Sequence, residues 1–525
     1  MNREFSSLEG REVDLLIIGG GIYGAWTAYD ATLRGLKVAI VEQGDWASAT
    51  SSASSKLIHG GLRYLETYDF KLVKKALRER QMLLKVAPHR VWPLRFGVPV
   101  YEDSRVSRLQ LKAGLTLYDL LAGCPGSLMS HRRFGQTGFA KRFPFLQDEK
   151  LKGGFTYGDA QTDDARLVLE LIAGAMDAGA VCVNYCRMTE YIEADGQVSG
   201  AVVQDLVTQS SVQVMARQVV NTSGRWATVT EQGKSWCRLS KGVHLVMPAL
   251  PTDEALLLTA QSDGRVFFAI PWYGRTLIGT TDTDYNGELG KVAVEAEDLA
   301  YLLAEANHYL NTGWSATDVI GSYAGVRVMK RSDAELSSAV SRPSSISRDW
   351  ELKTDAKGVQ YSIGGKITSA REDASVIVDS VCTKLGILNR CATMNRPFPW
   401  LPSVAYEQWQ TEISARAEQL DIDNESALWL MRRHGKRVDE VFKIVKQTGH
   451  YAERIVPSVP LIYGDLLLCA QDEMVIHLED LLRRRMPLSI LARITDDKLH
   501  RIANIVAPVL NWDEETINRE IIAFR

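Results

Sequence analysis

The chain has 525 residues, 46% hydrophobic and 24% charged, with 61 basic against 64 acidic side chains and a net charge of −3. That length exceeds a single hydrophobic core and calls for two or three domains, and the near-neutral balance offers no field for nucleic acid. The seven cysteines contain no C-x-x-C pair, so neither metal nor disulfide spacing is present and reduced thiols in a cytosolic chain are expected. The opening MNREFSSLEGREVD is too charged for a signal peptide, and no apolar run reaches the length needed to span a bilayer.

In chain order, VDLLII (13–18) reads as a buried parallel strand, and Gly19, Gly21 and Gly24 follow as G-x-G-x-x-G. A helical stretch ends at Gly35, and VAIVE closes a second strand on Glu42. This is the complete βαβ dinucleotide fingerprint: glycines admit a pyrophosphate to a helix N-terminus, and an acid some 20 residues on accepts from ribose hydroxyls. The fingerprint alone does not separate NAD from FAD. The next stretch, TSSASSKLIHGGLRYLE (50–66), favours a flavin, because Thr50, Ser51, Ser52, Ser54 and Ser55 offer short donors and Gly60–Gly61 permits close backbone approach. Residues 81–150 read as an excursion of helices and aromatic loops. Within it, SRVSRLQLKAGLTLYDLLAG (104–123) sets Arg105, Arg108 and Lys112 beside Leu109, Leu111, Leu115, Leu117 and Leu120, the pattern of either a packed surface helix or one lying on anionic lipid. VVNTSG (219–224) runs a strand into Gly224, a second backbone approach to the same ligand, and residues 240–320 are strand-rich. YSIGGKITSAREDASVIVDSV (361–381) is a strand, a Gly–Gly turn and a helix, with Lys366 and Thr368 placed for the pyrimidine end of a flavin. After NRPFPWLPS (395–403) helical periodicity runs to the end, where RRR (483–485) reads as a solvated helix terminus.

The pieces GGGIYGA, TSSASSKLIHGGLRYLE, DDARLVLEL, NTSGRW, KGVHLVMP, IPWYGRTLIGTTD, SYAGVRV, ISRDW and GGKIT stand in this order. Together they resemble the FAD-dependent glycerol-3-phosphate dehydrogenase family, membrane-associated flavoenzymes that pass electrons to quinone. The resemblance is close over 12–375 and looser over RRHGKRVDEVF and EMVIHLEDLLRRR. It implies an α/β fold: a Rossmann-like FAD-binding domain from 1–80, 151–240 and 321–390, an inserted β-rich substrate and membrane-facing domain from 81–150 and 241–320, and a C-terminal helical cap over 400–525.

The same resemblance implies FAD as cofactor, glycerol 3-phosphate and a quinone as partners, and a peripheral place on the cytoplasmic side of the inner membrane or in the cytoplasm. A homodimer stays open. His244 in KGVHLVMP matches the family's motif histidine and becomes the base; without that match it would read as a core residue. Arg327 falls to the reacting hydroxyl, Arg63 and Arg348 to the phosphate, and Tyr64, Thr281 and Asp282 to the pocket. Two departures stand out: GVRV where the family has proline after the arginine, and SAREDA after GGKIT. They keep a related phospho-alcohol open as substrate. An oxygen-using oxidase and a flavin-binding protein without turnover are the competing readings.

Overall fold

The computed structural model describes residues 1–123, 129–331 and 349–525. Arg348 lies outside the described residues. Two sheets organise them. In the first, Gln360–Gly364, Ser211–Asn221, Glu12–Ile18, Val38–Val41 and Val181–Val183 lie side by side and parallel, the Rossmann-like core expected from the apolar runs. Trp350–Thr354 joins one edge antiparallel, and the hairpin Cys186–Ala194 with Gln197–Asp205 pairs onto Ser211–Asn221. Helices Ile22–Leu33, Asp164–Asp177 and Ala370–Leu385 pack on this sheet in one core with Leu15, Ile17, Val38 and Ile40. Such strands carry no polar alternation because both faces are covered.

The second sheet runs Thr283–Asp284, Cys237–Pro248, Arg275–Gly279, Val266–Trp272, Ala255–Thr259, Val91–Tyr101, Leu151–Thr162, Leu57–Ile58. Gly321–Lys330 also pairs with Cys237–Pro248. Two segments grouped with the cofactor domain on sequence are strands of this sheet. Leu151–Thr162 pairs antiparallel with the whole of Val91–Tyr101, and Gly321–Lys330 pairs from Gly321 opposite Val246 to Lys330 opposite Cys237. Ladder bonds decide membership, and among the described residues neither strand pairs with the parallel sheet.

The helices from Tyr406 to Phe524 share a core with the second sheet, where Trp92, Trp272 and Tyr323 meet Leu466, Leu478 and Leu482. Buried charge joins them to the first sheet. Arg166 pairs with Glu473, Arg484 and Arg485 pair with Asp45, and Arg90, paired with Glu170, donates to the carbonyls of Arg432 and Arg433. The RRR run is therefore no solvated terminus. Asp45 accepts from Arg484 Nε and, at 2.8 Å, from Arg485 Nη2, and the Asn184 amide adds a third donor at 3.2 Å. Trp46, fully buried beside it, lies against Gly20 of the glycine loop and donates Nε1–H to Met474 Sδ at 3.3 Å.

The helix Arg108–Ala122 also departs from expectation. Ser107 and Gln110 form a capping box at its start, but Leu115 is wholly buried beside Tyr118 and Leu117 is half-buried. The leucines that point outward are Leu109 and Leu120. Among the described residues no helix is long and apolar enough to cross a membrane.

Removing one partner of a buried ion pair leaves a charge without compensation, at a cost of about 3–5 kcal/mol, whereas an exposed pair contributes about 0–1 kcal/mol. Asp45→Asn should therefore lower the urea midpoint of the flavin-loaded protein substantially. Glu440→Gln, which breaks the exposed pair with Lys443, should leave the midpoint nearly unchanged. Equal midpoints for the two variants would contradict the buried joint.

Candidate active site

A cavity of about 600 Å³ opens between the two sheets. Its first end is built by the glycine loop. Gly19 has φ +110°, and a Cβ there would lie 2.7 Å from Thr222 O; one on Gly24 would lie 1.9 Å from Gly19 O. Strand, turn and helix abut too closely for side chains at these points, which leaves backbone facing the cavity. Gly21 is on the wall, and Ser51 Oγ accepts from Ile22 N at 2.9 Å, occupying one free N–H of the helix start. Glu42 is half-buried on the wall and accepts from Gly20 N (2.6 Å) and Gly44 N (2.8 Å). Burial raises its pKa against those bonds.

The loop 50–61 wraps the middle. Thr50 donates to Val326 O at 2.6 Å, and Ser54 Oγ and Lys56 Nζ each donate to buried Asp164 at 2.6 Å. Gly61, at φ +75°, and Gly224, at φ +59°, both line the cavity. Gly60 does not: a Cβ there would strike Leu77 and Tyr118, and its N–H donates to Tyr118 Oη at 2.9 Å. Its smallness serves packing. Thr368 Oγ1 accepts from His59 N at 3.1 Å, and Lys366 Nζ stands 3.5 Å from the centre of the Tyr64 ring. The SAREDA departure supplies its own anchors, since Arg371 forks onto buried Glu79 and Asp373 accepts from Tyr23 Oη at 2.9 Å.

The second end is a product of strand alternation. Ser240, Gly242 and His244 face one way along Cys237–Pro248, and opposite them in register stand Arg327, Gly325 and Tyr323. His244 is 1% exposed, stacks on Tyr323 with ring centres 4.9 Å apart, and meets Ser55 Oγ at 2.9 Å through Nε2. Its Nδ1 is buried without a hydrogen-bond partner among the described residues. Burial first, then the charges of Arg327 and Lys56, hold the imidazole well below its ordinary pKa. It is thus neutral at pH 7, with one nitrogen carrying a lone pair. Arg327 donates to Thr280 Oγ1 (2.7 Å), Thr281 O (3.2 Å) and Asp282 Oδ1 (3.3 Å). A Cβ on Gly242 would lie 2.2 Å from its guanidinium, so only glycine lets Arg327 lie there. Val328 continues the ladder opposite Leu239, so strand pairing holds Arg327 where a proline would otherwise fix the chain.

Arg63 and Tyr64 line the same cavity, as does Asp282, which also accepts from Ser240. Thr281 is not on the wall; its hydroxyl accepts from Val243 N at 3.0 Å and its carbonyl braces Arg327. Sequence reasoning missed Gly242, Tyr323 and the bond from Ser55 to His244. The period-two spacing of KGVH and SYAGVR carried the first two; the third needs the fold. The cradle fits a dinucleotide flavin, with the backbone turn and Glu42 at one end and the Lys366 helix start on the far wall.

Residues 14–371 match the family described as FAD dependent oxidoreductase, and residues 402–517 match the C-terminal domain of alpha-glycerophosphate oxidase. A glycerol-3-phosphate dehydrogenase of Synechocystis is 33% identical across 99% of this chain and 97% of its own. An aerobic glycerol-3-phosphate dehydrogenase of Staphylococcus saprophyticus is 32% identical across 91% and 87%. Among solved structures, the glycerol-3-phosphate dehydrogenase from Bacillus halodurans complexed with FAD is similar at a TM-score of 0.78, with 28% identity, over 99% of this chain and 95% of that one. The FAD-bound L-alpha-glycerophosphate oxidase from Mycoplasma pneumoniae shares the fold at 0.57 and 17% identity, over 74% of this chain and 100% of that one. Fold, cavity and matches along nearly the whole chain agree: the protein belongs to the FAD-dependent glycerol-3-phosphate dehydrogenase and oxidase family and takes FAD as its cofactor.

Proposed function

We propose that the protein oxidises sn-glycerol 3-phosphate to glycerone phosphate and passes the electrons to a quinone at a membrane surface. The observation that carries the chemistry is a buried, neutral His244 beside a braced Arg327 on the cavity wall. A neutral imidazole takes the proton of the substrate hydroxyl, and the guanidinium steadies the oxygen as it gains negative charge. Arg63 on the same wall, with Arg348 in the adjoining motif, supplies forked donors for phosphate. Bound FAD supplies the two-electron acceptor for the carbinol hydrogen.

The quinone reading is supported by relatives named aerobic dehydrogenases. The oxygen-using alternative is supported by the C-terminal match to an oxidase domain. Anaerobic bleaching of the flavin by a panel of phosphorylated polyols tests the substrate, and absence of bleaching by glycerol 3-phosphate would overturn it. Peroxide formation under air, set against reduction of a quinone analogue, decides the acceptor.

A positioned base contributes about 10²- to 10⁴-fold, so His244→Ala should slow anaerobic flavin reduction by that order with flavin content unchanged. Because the folded pKa is depressed, the parent's rate should hold as pH falls through the ordinary histidine value near ~6.5 and decline only below it. That acidic limb should vanish in the variant. A stopped-flow rate within a few-fold of the parent's, with the same limb, would assign the base elsewhere.

Gly242→Ala should push the Arg327 guanidinium off its three acceptors. Loss of one charge-assisted bond to the reacting oxygen is worth about 1.5–3 kcal/mol, roughly a ten- to hundredfold fall in kcat/KM. FAD affinity should not move, and an unchanged kcat/KM would remove Arg327 from the reaction.

For the membrane, the outward side chains of helix Arg108–Ala122 are Leu109 (78% exposed) and Leu120 (62% exposed), with Lys112 exposed between them. Leu109→Ser with Leu120→Ser should weaken sedimentation with anionic liposomes about tenfold or more, at about 1 kcal/mol for each interfacial leucine, while dye reduction persists. Binding equal to the parent's would rule out this helix as the lipid contact.

A further inference from the structure

We propose that Arg225 is an anion-binding residue that holds the pyrophosphate of FAD from the wall beside the glycine loop. The inference rests on FAD as the cofactor and adds a contact that the dinucleotide fingerprint does not contain. Arg225 is 7% exposed and lines the cavity beside Ser223 and Gly224. Its Nε is buried without a hydrogen-bond partner, and among the described residues no carboxylate lies within ion-pairing distance of the guanidinium. The guanidinium carbon stands over Trp226, 4.4 Å from the ring centre. Desolvation depresses its pKa, and the Glu42 carboxylate acts against this. Glu42 is already engaged by the N–H groups of Gly20 and Gly44. A buried cation left in this state is costly unless an anion joins it.

Position decides which anion. The backbone just before Arg225 touches the glycine loop: Ser223 Cα lies 2.9 Å from where a Cβ of Gly19 would stand, and Thr222 donates to Gly19 O at 2.9 Å. Glu42, at the end of the glycine-loop unit, acts on the Arg225 guanidinium, so Arg225 belongs with the nucleotide end. The helix start after Gly21, with its Ile22 N–H held by Ser51, offers its dipole to a diphosphate. Arg225, a planar fork next to Trp226, adds charge beside it. Dipole and charge together favour a diphosphate over a nucleoside.

The test uses the full-length holoenzyme. FAD dissociation is followed by the rise of flavin fluorescence on dilution, at low and high salt, with ADP and adenosine as competitors. Arg225→Gln should raise the FAD dissociation constant about ten- to hundredfold and flatten its salt dependence. ADP should displace FAD from the parent better than adenosine does, and Arg225→Gln should lose that preference for ADP. Arg225→Lys should recover part of both effects, which a folding defect would not produce. Unchanged FAD affinity in Arg225→Gln, or equal weakening of ADP and adenosine, would overturn the assignment. A parent protein purified without flavin would instead count against the cofactor on which the proposal rests.

Discussion

Asp45 sits three residues beyond the acid that ends the second parallel strand, and its carboxylate is buried against Arg484 and Arg485. Everything around the cavity hangs from this joint. On one side, Arg485 also donates to Glu473 O at 2.9 Å, so the same guanidinium ties the turn at 473–474 to the cofactor loop. On the other, Trp46 fills the space above Gly20, and the chain then runs along the cavity wall from Ala47 to Ser55. A buried pair of this kind adds little to stability over an apolar contact of equal volume, but breaking it is expensive. Its effect is to specify one arrangement of helical region and loop. The C-terminal helices are in this sense part of the cofactor site although none of them supplies a wall residue.

The reacting end depends on an electrostatic imbalance. His244 lies near two cations, Arg327 and Lys56, and among the described residues it has no carboxylate partner. It leans instead on a serine hydroxyl and a tyrosine ring. The result is an imidazole that resists protonation. Arg327 is prevented from collapsing onto Asp282 alone because Thr280 and Thr281 share its donors, and Gly242 leaves the space it occupies.

Local patterns in the sequence were enough for the parallel strands, the glycine loop, the strand-rich middle and the helical end, because each rests on spacing within a dozen residues. What escaped were relations between distant segments. RRR looks solvated because charge runs usually are, and its partner Asp45 is 440 residues away from Arg485. Leu115 was open to a packed or a lipid-facing reading because amphipathicity shows that a helix has two faces, not which of them meets protein. Gly60 and Thr281 stood inside motifs, and motif membership does not distinguish a wall residue from one that braces it. Residues 151–162 adjoin a helix that packs on the parallel sheet, yet the strand itself pairs elsewhere; an element's neighbour in sequence is weak guidance to its neighbour in a ladder.

The loop 50–61 links these observations. Its serines and Lys56 engage Asp164 on a helix of the first sheet, Ser55 engages His244 on a strand of the second, and the Tyr323 hydroxyl donates to Ser54 O at 2.9 Å. The segment that wraps the cavity is therefore the segment that orients His244. The two cannot vary independently in such an arrangement: a loop displaced by loosening of Asp45 would also disturb the Ser55 bond and the Tyr323 stack. The setting of the His244 ring is thus tied to the nucleotide end of the cavity through one short stretch of polypeptide anchored by buried charge.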